Sequence, residues 1–578
     1  MSDLLNSASL VMIPSGYKED TVYSAVPTDG SGDLSFTRAS NGTRVNSAGL
    51  VEVCPWNLLE QSETFDTASW PKLECSITAN STNSPIGTLT ADSLIESNTN
   101  SRHMIYRAFT SVVGQSYSLS VYCKQSTRRY ANINLKTSST ASPRFSALFD
   151  LQTGLNVSTS AVGSPTGTSF DIVSFPNGWY RISISMNATS TSTEYEISTS
   201  NSTTPSLAEG TPAYLGDGTS GIYIWGAQLN IGSTAKPYFP TTDRLNVPRL
   251  TYQNGGGGCP SLLLEKQSTN AVFPSEDFST TWSLYNSATI TTNQATSPDG
   301  TQNADKITTT NSANALYNVN DAGSSAGDYT ASIFVKPINN NSLGLGMTND
   351  TTGEAFVLIN VATGVGTTTS QTGWSNATYT WQQHANGWYR ITLTATKGSG
   401  GAARFILKGN SSSDYYIWGA QLEAGAYPTS YIPTTSASAT RVADVMTVNL
   451  PNTDMTFCAY LECEEAPLGT TATDWLSIYN SSSILGRAYG YANVFGFADA
   501  YSLGIASSTK MVWKQESGTT AKLFKNGALA ATSTTGTYSN PFNRFAIDGN
   551  YLDKPLKVKQ FIFFQNNLTD AECASLTA

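Results

Sequence analysis

The chain repeats itself, and no other feature limits its fold so strongly. Asn57 to Phe65 (NLLEQSETF) aligns with Asn270 to Phe278 (NAVFPSEDF), and each stretch is followed within a few residues by a tryptophan, Trp70 or Trp282. The same order of landmarks continues: TLTADSL at 88–94 with TQNADKI at 301–307, YSLSVYCK at 117–124 with YTASIFVK at 329–336, and FDLQTG at 149–154 with INVATG at 359–364. Asn177-Gly178-Trp179-Tyr180-Arg181 recurs unchanged at Asn386-Gly387-Trp388-Tyr389-Arg390. Ile224-Trp225-Gly226-Ala227-Gln228-Leu229 recurs at 417–422 around Trp418, and both copies run on to a Tyr-x-Pro-Thr-Thr segment and an arginine, Arg244 or Arg441. A repeat this long with its landmarks in fixed order means two copies of one domain.

Inside each copy, short runs alternate apolar and polar residues, as in 117–124, and Gly, Asn, Asp, Ser and Thr punctuate them. That period suits half-buried strands, and no amphipathic helical stretch of useful length interrupts it. Each Asn-Gly suits a tight turn, because both residues tolerate positive φ. The expectation is an all-β chain of tandem β-sandwich, jelly-roll modules at 56–244 and 270–444. A short N-terminal region, 1–55, is β-like but too small to fold comfortably alone. Residues 245–269, with the run Gly255 to Gly258, read as a connector carrying one strand-like piece at 261–265. Residues 445–578 read as a separate all-β domain, with a hairpin at Lys525-Asn526-Gly527 and one short helix starting at Thr569-Asp570-Ala571-Glu572.

Composition narrows the function. At 578 residues the chain has room for about three or four domains. Only 13% of residues are charged and the formal net charge is -10, so no clustered basic surface exists to displace counterions from nucleic acid. Arg128-Arg129 is the one notable basic pair and reads as surface charge. No run of about twenty apolar residues occurs, which predicts no membrane insertion. The start lacks a basic and then apolar leader, which predicts a protein made and used without secretion. The seven scattered cysteines form no metal-like spacing and read as reduced thiols.

Catalytic groups are scarce. The two histidines, His103 and His384, are read as ordinary surface or loop residues. A Ser-His-Asp triad would need one of them beside an activated serine, and no nucleophile elbow accompanies either. His384 stands before the Asn-Gly turn where the first copy has Phe175-Pro176, so it serves no role common to the copies. Glu63, Asp66, Glu276 and Asp277 are carboxylates that glycoside hydrolysis could use, but no enzyme is expected. Glycan binding is the stronger reading, through aromatic faces and amide or carboxylate hydrogen bonds. No ligand-contacting residue is assigned. Trp70, Trp179, Tyr180, Arg181, Trp225, Trp282, Trp388, Tyr389, Arg390 and Trp418 are repeat landmarks expected to be structural, with Gly226 and Gly419 marking close backbone approach beside an indole. No cofactor is expected. A structural calcium stays open, with Asp92/Asp305 and Glu63/Glu276 the repeat-matched carboxylates.

The set of SETF or SEDF plus Trp, TAD, NGWYR and IWGAQL with its Pro-Thr-Thr tail resembles the repeated modules of bacteriophage fibre, spike and head-fibre proteins, which are themselves similar to carbohydrate-binding modules of the jelly-roll kind. The second copy departs from it at Asn303-Ala304-Asp305. The stretches 34–59 and 257–270 look like the lead-ins to such modules, and 445–578 resembles a laminin-G or concanavalin-A-like sandwich. The resemblance implies a virion component, head or tail, that is homotrimeric. It further implies attachment to other virion proteins through 1–55 and display of modules towards host-surface or mucus glycans. A purely structural decoration or connector protein is the alternative, and a glycan depolymerase comes last.

Overall fold

The computed structural model describes residues 4, 6–137, 141–339, 342–349, 353–410, 412–450, 456–464, 473–480, 483–491, 494–497, 500–504, 510–517, 520–534, 543–552 and 554–578. They form tandem β-sandwiches of antiparallel sheets, as the period-2 patterning requires. Two compact units result, one of Pro55–Arg244 and one of Met1–Cys54 with Leu245–Ala578.

The Pro55–Arg244 unit is a jelly roll of two six-stranded sheets. One runs in the order Ser169–Phe175, Trp179–Asn187, Ser116–Gln125, Gly221–Ile231, Leu89–Glu96, Cys75–Asn83. In its central strand Tyr117, Leu119, Val121 and Cys123 point into the core between the sheets, and Tyr122 joins a second aromatic cluster with Trp179 and Trp225. The neighbouring Gly221–Ile231 strand feeds both clusters because a bulge resets its phase: Ile224 and Ala227 face the core while Trp225 faces out. Gly226 occupies that bulge at φ 61, where a Cβ would stand 3.1 Å from the rings of Tyr122 and Tyr238. Only glycine fits both the backbone and the space.

The second jelly roll, within the other unit, repeats this sheet as Trp374–Gln383, Tyr389–Lys397, Gly327–Pro337, Ser413–Ala424, Ala304–Thr309, Thr289–Ala295. Its bulge falls between Ser332 and Phe334, opposite Gly419 at φ 65. The Asn-Gly turns match as well, with Asn177 and Asn386 at φ 61 and 60 and Gly178 and Gly387 at φ 78 and 76.

The remaining strands do not divide where the sequence reading divides them. Residues 1–55, 245–269 and 445–578, expected as attachment region, connector and separate domain, build one sandwich together. Leu10–Met12 and Ser261–Leu264 both pair with Leu556–Phe564, and Arg249–Thr251 pairs with Ser261–Leu264. In the facing sheet Leu34–Thr37 pairs with Val445–Asn449. The core mixes all three stretches: Met12, Phe36, Leu250 and Leu264 pack with Met446, Phe457, Trp513 and Phe561. A strand's partner is set by backbone groups that must be satisfied across a sheet, and this leaves no local mark in sequence. The Asn526-Gly527 hairpin closes Ala521–Lys525 on Ala528–Ser533, and Thr569 and Glu572 form the capping box of the helix Asp570–Thr577.

Beside this sandwich lies a cluster of five fully buried charges. Asp444 accepts from Arg38 Nη1 at 2.9 Å and Arg249 Nη2 at 2.5 Å, Glu265 accepts from Arg249 Nη1 at 2.7 Å, and Arg441 lies 3.5 Å from Glu265 and 3.8 Å from Asp444. Removing one partner of such a group strands buried charge, at about 3–5 kcal/mol. Asp444→Ala is therefore expected to lower the denaturant midpoint of the unit that contains it, with the Pro55–Arg244 transition unchanged as an internal control. Unchanged midpoints in both would show that the cluster does not hold the fold.

Candidate functional site

The repeat landmarks converge on one polar latch in each jelly roll. Asn57 Nδ2 donates to the carbonyls of Ala227 and Phe239 at 3.1 and 3.0 Å, and its Oδ1 accepts from the amides of Leu59 and Leu229. Asn270 does the same with Ala420, Ile432, Val272 and Leu422. Ser62 and Ser275 bond the hydroxyls of Tyr238 and Tyr431 at 2.9 and 2.6 Å and accept from the amides of Thr241 and Thr434. Thus the SETF, IWGAQL and Pro-Thr-Thr segments recur together because each satisfies the others' buried polar atoms.

The tryptophans of the landmarks are core. Trp70, Trp179, Trp225, Trp388 and Trp418 are at most 2% exposed and Trp282 is 8% exposed, so no indole face is open for a ring to stack on. Trp179 and Trp388 donate Nε1–H to the carbonyls of Asn83 and Thr296 at 3.1 and 3.0 Å. Arg181 and Arg390 donate to the carbonyls of Lys236 and Thr429, both at 2.8 Å, and to Ser120 and Ser332 Oγ. Tyr389 stacks on Trp381 with centroids 5.2 Å apart, and Tyr180 lies half-buried against Gly154.

The repeat-matched carboxylates Asp92, Asp305, Glu63 and Glu276 serve the latch region too. Asp92 accepts from the amides of Phe65 and Asn80, and Asp305 from those of Phe278 and Asn293, at 2.9 to 3.0 Å. Glu63 and Glu276 each accept from the latch tyrosine at 3.0 Å, while Asp66 and Asp277 are exposed and Asp277 caps Ser279. No group of three or more metal-ligating side chains occurs among the described residues.

Both histidines are buried, which corrects their reading as surface residues. His103 is 0% exposed, with Nδ1 and Nε2 on the carbonyl oxygens of Glu74 and Tyr214 at 2.6 and 3.2 Å. His384 is 5% exposed, and neither ring nitrogen has a protein partner. His103 packs edge-on to Tyr214 and His384 edge-on to Phe334, and the single-copy mismatch with Phe175 was the one signal that set His384 apart.

His384 lines a cavity of about 300 Å³ on the outer face of the second jelly roll's sheet. That volume suits a sugar-sized ligand rather than one or two waters. Arg390, Thr392 and Gln382 share the sheet face with His384, and Tyr427, Thr429 and Ser430 border it. The hairpin of Gly42–Val45 and Val51–Cys54 supplies Arg44 and Val51, and the last sandwich supplies Lys554 and Lys557. Phe334 is buried behind this lining, edge-on to His384 at 5.0 Å and under Arg390 at 5.5 Å. Burial first, then the Arg390 and Lys557 charges, push the His384 pKa down to about 3, so the ring is neutral. Of these lining residues the sequence reading singled out only Arg390 and His384. The others come from strands whose meeting had no sequence signature.

No protein-family model matches the chain, and no curated protein does. Among solved structures it is similar to the CBM22-1–CBM22-2 tandem domain of Paenibacillus barcinonensis Xyn10C, at 10% identity and TM-score 0.19, over 64% of this chain and 97% of that one. It is also similar to the LG1-3 region of the laminin alpha2 chain, at 9% identity and TM-score 0.13, over 82% of this chain and 97% of that one. Neither likeness bears on what this chain binds.

The latch carries a pH dependence. Burial first, and the charge of Asp299 second, push the Glu276 pKa up to about 8 from an ordinary 4.5, and burial pushes Asp305 up to about 6. A carboxyl raised in the fold lends stability that is complete below its unfolded value and lost as pH climbs through its folded one. Glu276→Gln is therefore expected to melt above the parent at about pH 9, with the gap closing towards about pH 5. A constant difference across that range would show that Glu276 ionises normally.

Proposed function

We propose that this chain is a non-catalytic glycan-binding protein, displayed on a bacteriophage virion as a head or tail fibre or spike and assembled as a homotrimer after synthesis in the bacterial cytoplasm. The observation that carries the glycan reading is the polar cavity beside His384 and Arg390. Sugars present hydroxyls that need donors and acceptors and ring faces that need apolar walls. The exposed amide of Gln382 offers the first, and the half-buried ring of Tyr427 the second.

The buried roles of the titratable groups support a binding rather than a catalytic reading. His103 is spent on two carbonyls, and Glu63 and Glu276 are latch acceptors. The virion setting and the trimer draw on the sequence resemblance. On this reading, the attachment expected of residues 1–55 belongs to the sandwich into which their strands are built.

The test is a glycan array probed with the full chain and with a Gln382→Ala/Tyr427→Ala double variant, alongside light scattering. The expected result is binding to a restricted glycan class, at least ten-fold weaker in the variant, and a mass of three chains. Silence across the array would overturn the adhesion reading in favour of a structural virion part, and release of reducing ends from a bound polysaccharide would make the chain a depolymerase.

A further inference from the structure

A pair of thiols beneath the helix Asp570–Thr577 belongs to neither the latch nor the cavity. Cys458 lies on the strand Phe457–Cys463 and Cys573 in the helix. Their sulfurs stand 3.8 Å apart, and both side chains are fully buried. Alternation along the strand explains the placement. Phe457, Ala459 and Leu461 turn into the core of the last sandwich, while Cys458 and Tyr460 turn to the opposite face, which the helix covers with Cys573 and Leu576.

Two further observations bear on the chemistry of this pair. The S–H of Cys573 donating to Cys458, and after it an amide at Leu568 and the Lys514 charge, hold the Cys458 thiol below its ordinary pKa against the opposite effect of burial, while the same hydrogen bond holds Cys573 above. A thiol lowered in this way supplies the thiolate that attacks a disulfide. Access comes through the helix. It has only eight residues, and its outer side is tied down by Asp570, which pairs with Lys514 at 2.6 Å and Lys522 at 2.8 Å while its own carboxylate stays half exposed. Ion pairs open to water add little, so the helix lifts from the sheet at a far lower cost than the sheet unfolds.

We propose that Cys458 and Cys573 form a reversible redox modification site, which a low-molecular-weight disulfide converts to an intramolecular disulfide that fixes the helix on the sheet. The Cys458 thiolate attacks one sulfur of the reagent, whose S–S bond breaks. One thiol leaves with a proton, and a mixed disulfide remains on Cys458. Cys573, giving up its proton, then attacks the Cys458 sulfur and releases the second thiol. The protein loses two electrons and two protons, and the reagent gains both. The sulfurs start about 1.8 Å beyond bonded separation, a gap that side-chain rotation and a small shift of a two-turn helix can close. A link between residues 115 positions apart removes much of the freedom of the unfolded chain. The site stands independently of the glycan reading.

The test treats the full chain carrying Cys259→Ser, which removes the one exposed thiol, with oxidised glutathione under native conditions. Six of the seven cysteines then remain. Two are expected to vanish from a thiol count made after unfolding, with no glutathione retained, the peptides holding Cys458 and Cys573 joined, and both thiols restored by dithiothreitol. On oxidation the melting transition of the unit containing the helix is expected to rise by about 3 °C or more. Asp570→Asn, which loosens the helix, is expected to speed the reaction about two-fold or more. In Cys573→Ser the melting shift is expected to disappear and one glutathione to stay on Cys458. Six free thiols after native oxidation would overturn the proposal. So would a link from Cys458 to any other cysteine, or a link between the pair that forms only once denaturant is added.

Discussion

Asp444 accepts from Arg38 and Arg249 and from the backbone amide of Glu265, while Glu265 accepts from Arg249. Arg441 completes the cluster from the end of the second jelly roll. These five side chains come from the first lead-in, the stretch between the repeats, and the junction between the second jelly roll and the last strands, and all are fully buried. Such a cluster adds little net stability over an apolar core of the same volume, because desolvation offsets attraction. Its effect is on uniqueness. Any docking of the N-terminal strands that fails to deliver Arg38 leaves a buried carboxylate short of charge, so alternative pairings are penalised far more than the correct one is rewarded. The cavity depends on this, since the hairpin supplying Arg44 and Val51 and the strand supplying Lys557 are brought to the second jelly roll by the same convergence.

A different constraint holds each jelly roll. One bulge, at Gly226 and Gly419, sends an indole to the outer face while returning the next residues to the core. Around it Asn57 and Asn270 satisfy four backbone groups each, and the latch serine, tyrosine and threonine close on one another. A fully satisfied buried network tolerates few substitutions, because each would orphan a partner. The landmarks survive in both copies for that reason, and their recurrence speaks of folding rather than recognition.

This explains what could be read from the chain and what could not. The sandwiches were legible because strand alternation and Asn-Gly turns are local signals, and the landmark tryptophans because strand-like contexts with adjacent glycines imply close packing. The last sandwich was legible as all-β from 445 onward, with its hairpin and closing helix, but the earlier strands that complete it were not. Leu10–Met12, Leu34–Thr37 and Ser261–Leu264 are short strands whose partners lie hundreds of positions away. The cavity inherits that invisibility. His384 was misplaced at the surface because a polar residue before a turn normally stays in water, whereas its ring packs on Phe334, which is distant in sequence.

The comparison of the two copies separates fold from recognition. His384 packs against Phe334 edge-on at 5.0 Å, and Phe175 packs against Tyr122 edge-on at the same 5.0 Å. Two positions earlier, Gln382 stands where the first copy has Val173, again without any change in strand pairing. At both places an apolar side chain in one copy answers to a polar one in the other, on a backbone held by an unchanged latch. The exchange of Phe for His keeps an edge-on ring contact and adds two buried nitrogens, against a partner ring that itself changes from Tyr122 to Phe334. Positions that the latch does not use can differ without cost to the fold, and a duplicated module is free to change them in one copy.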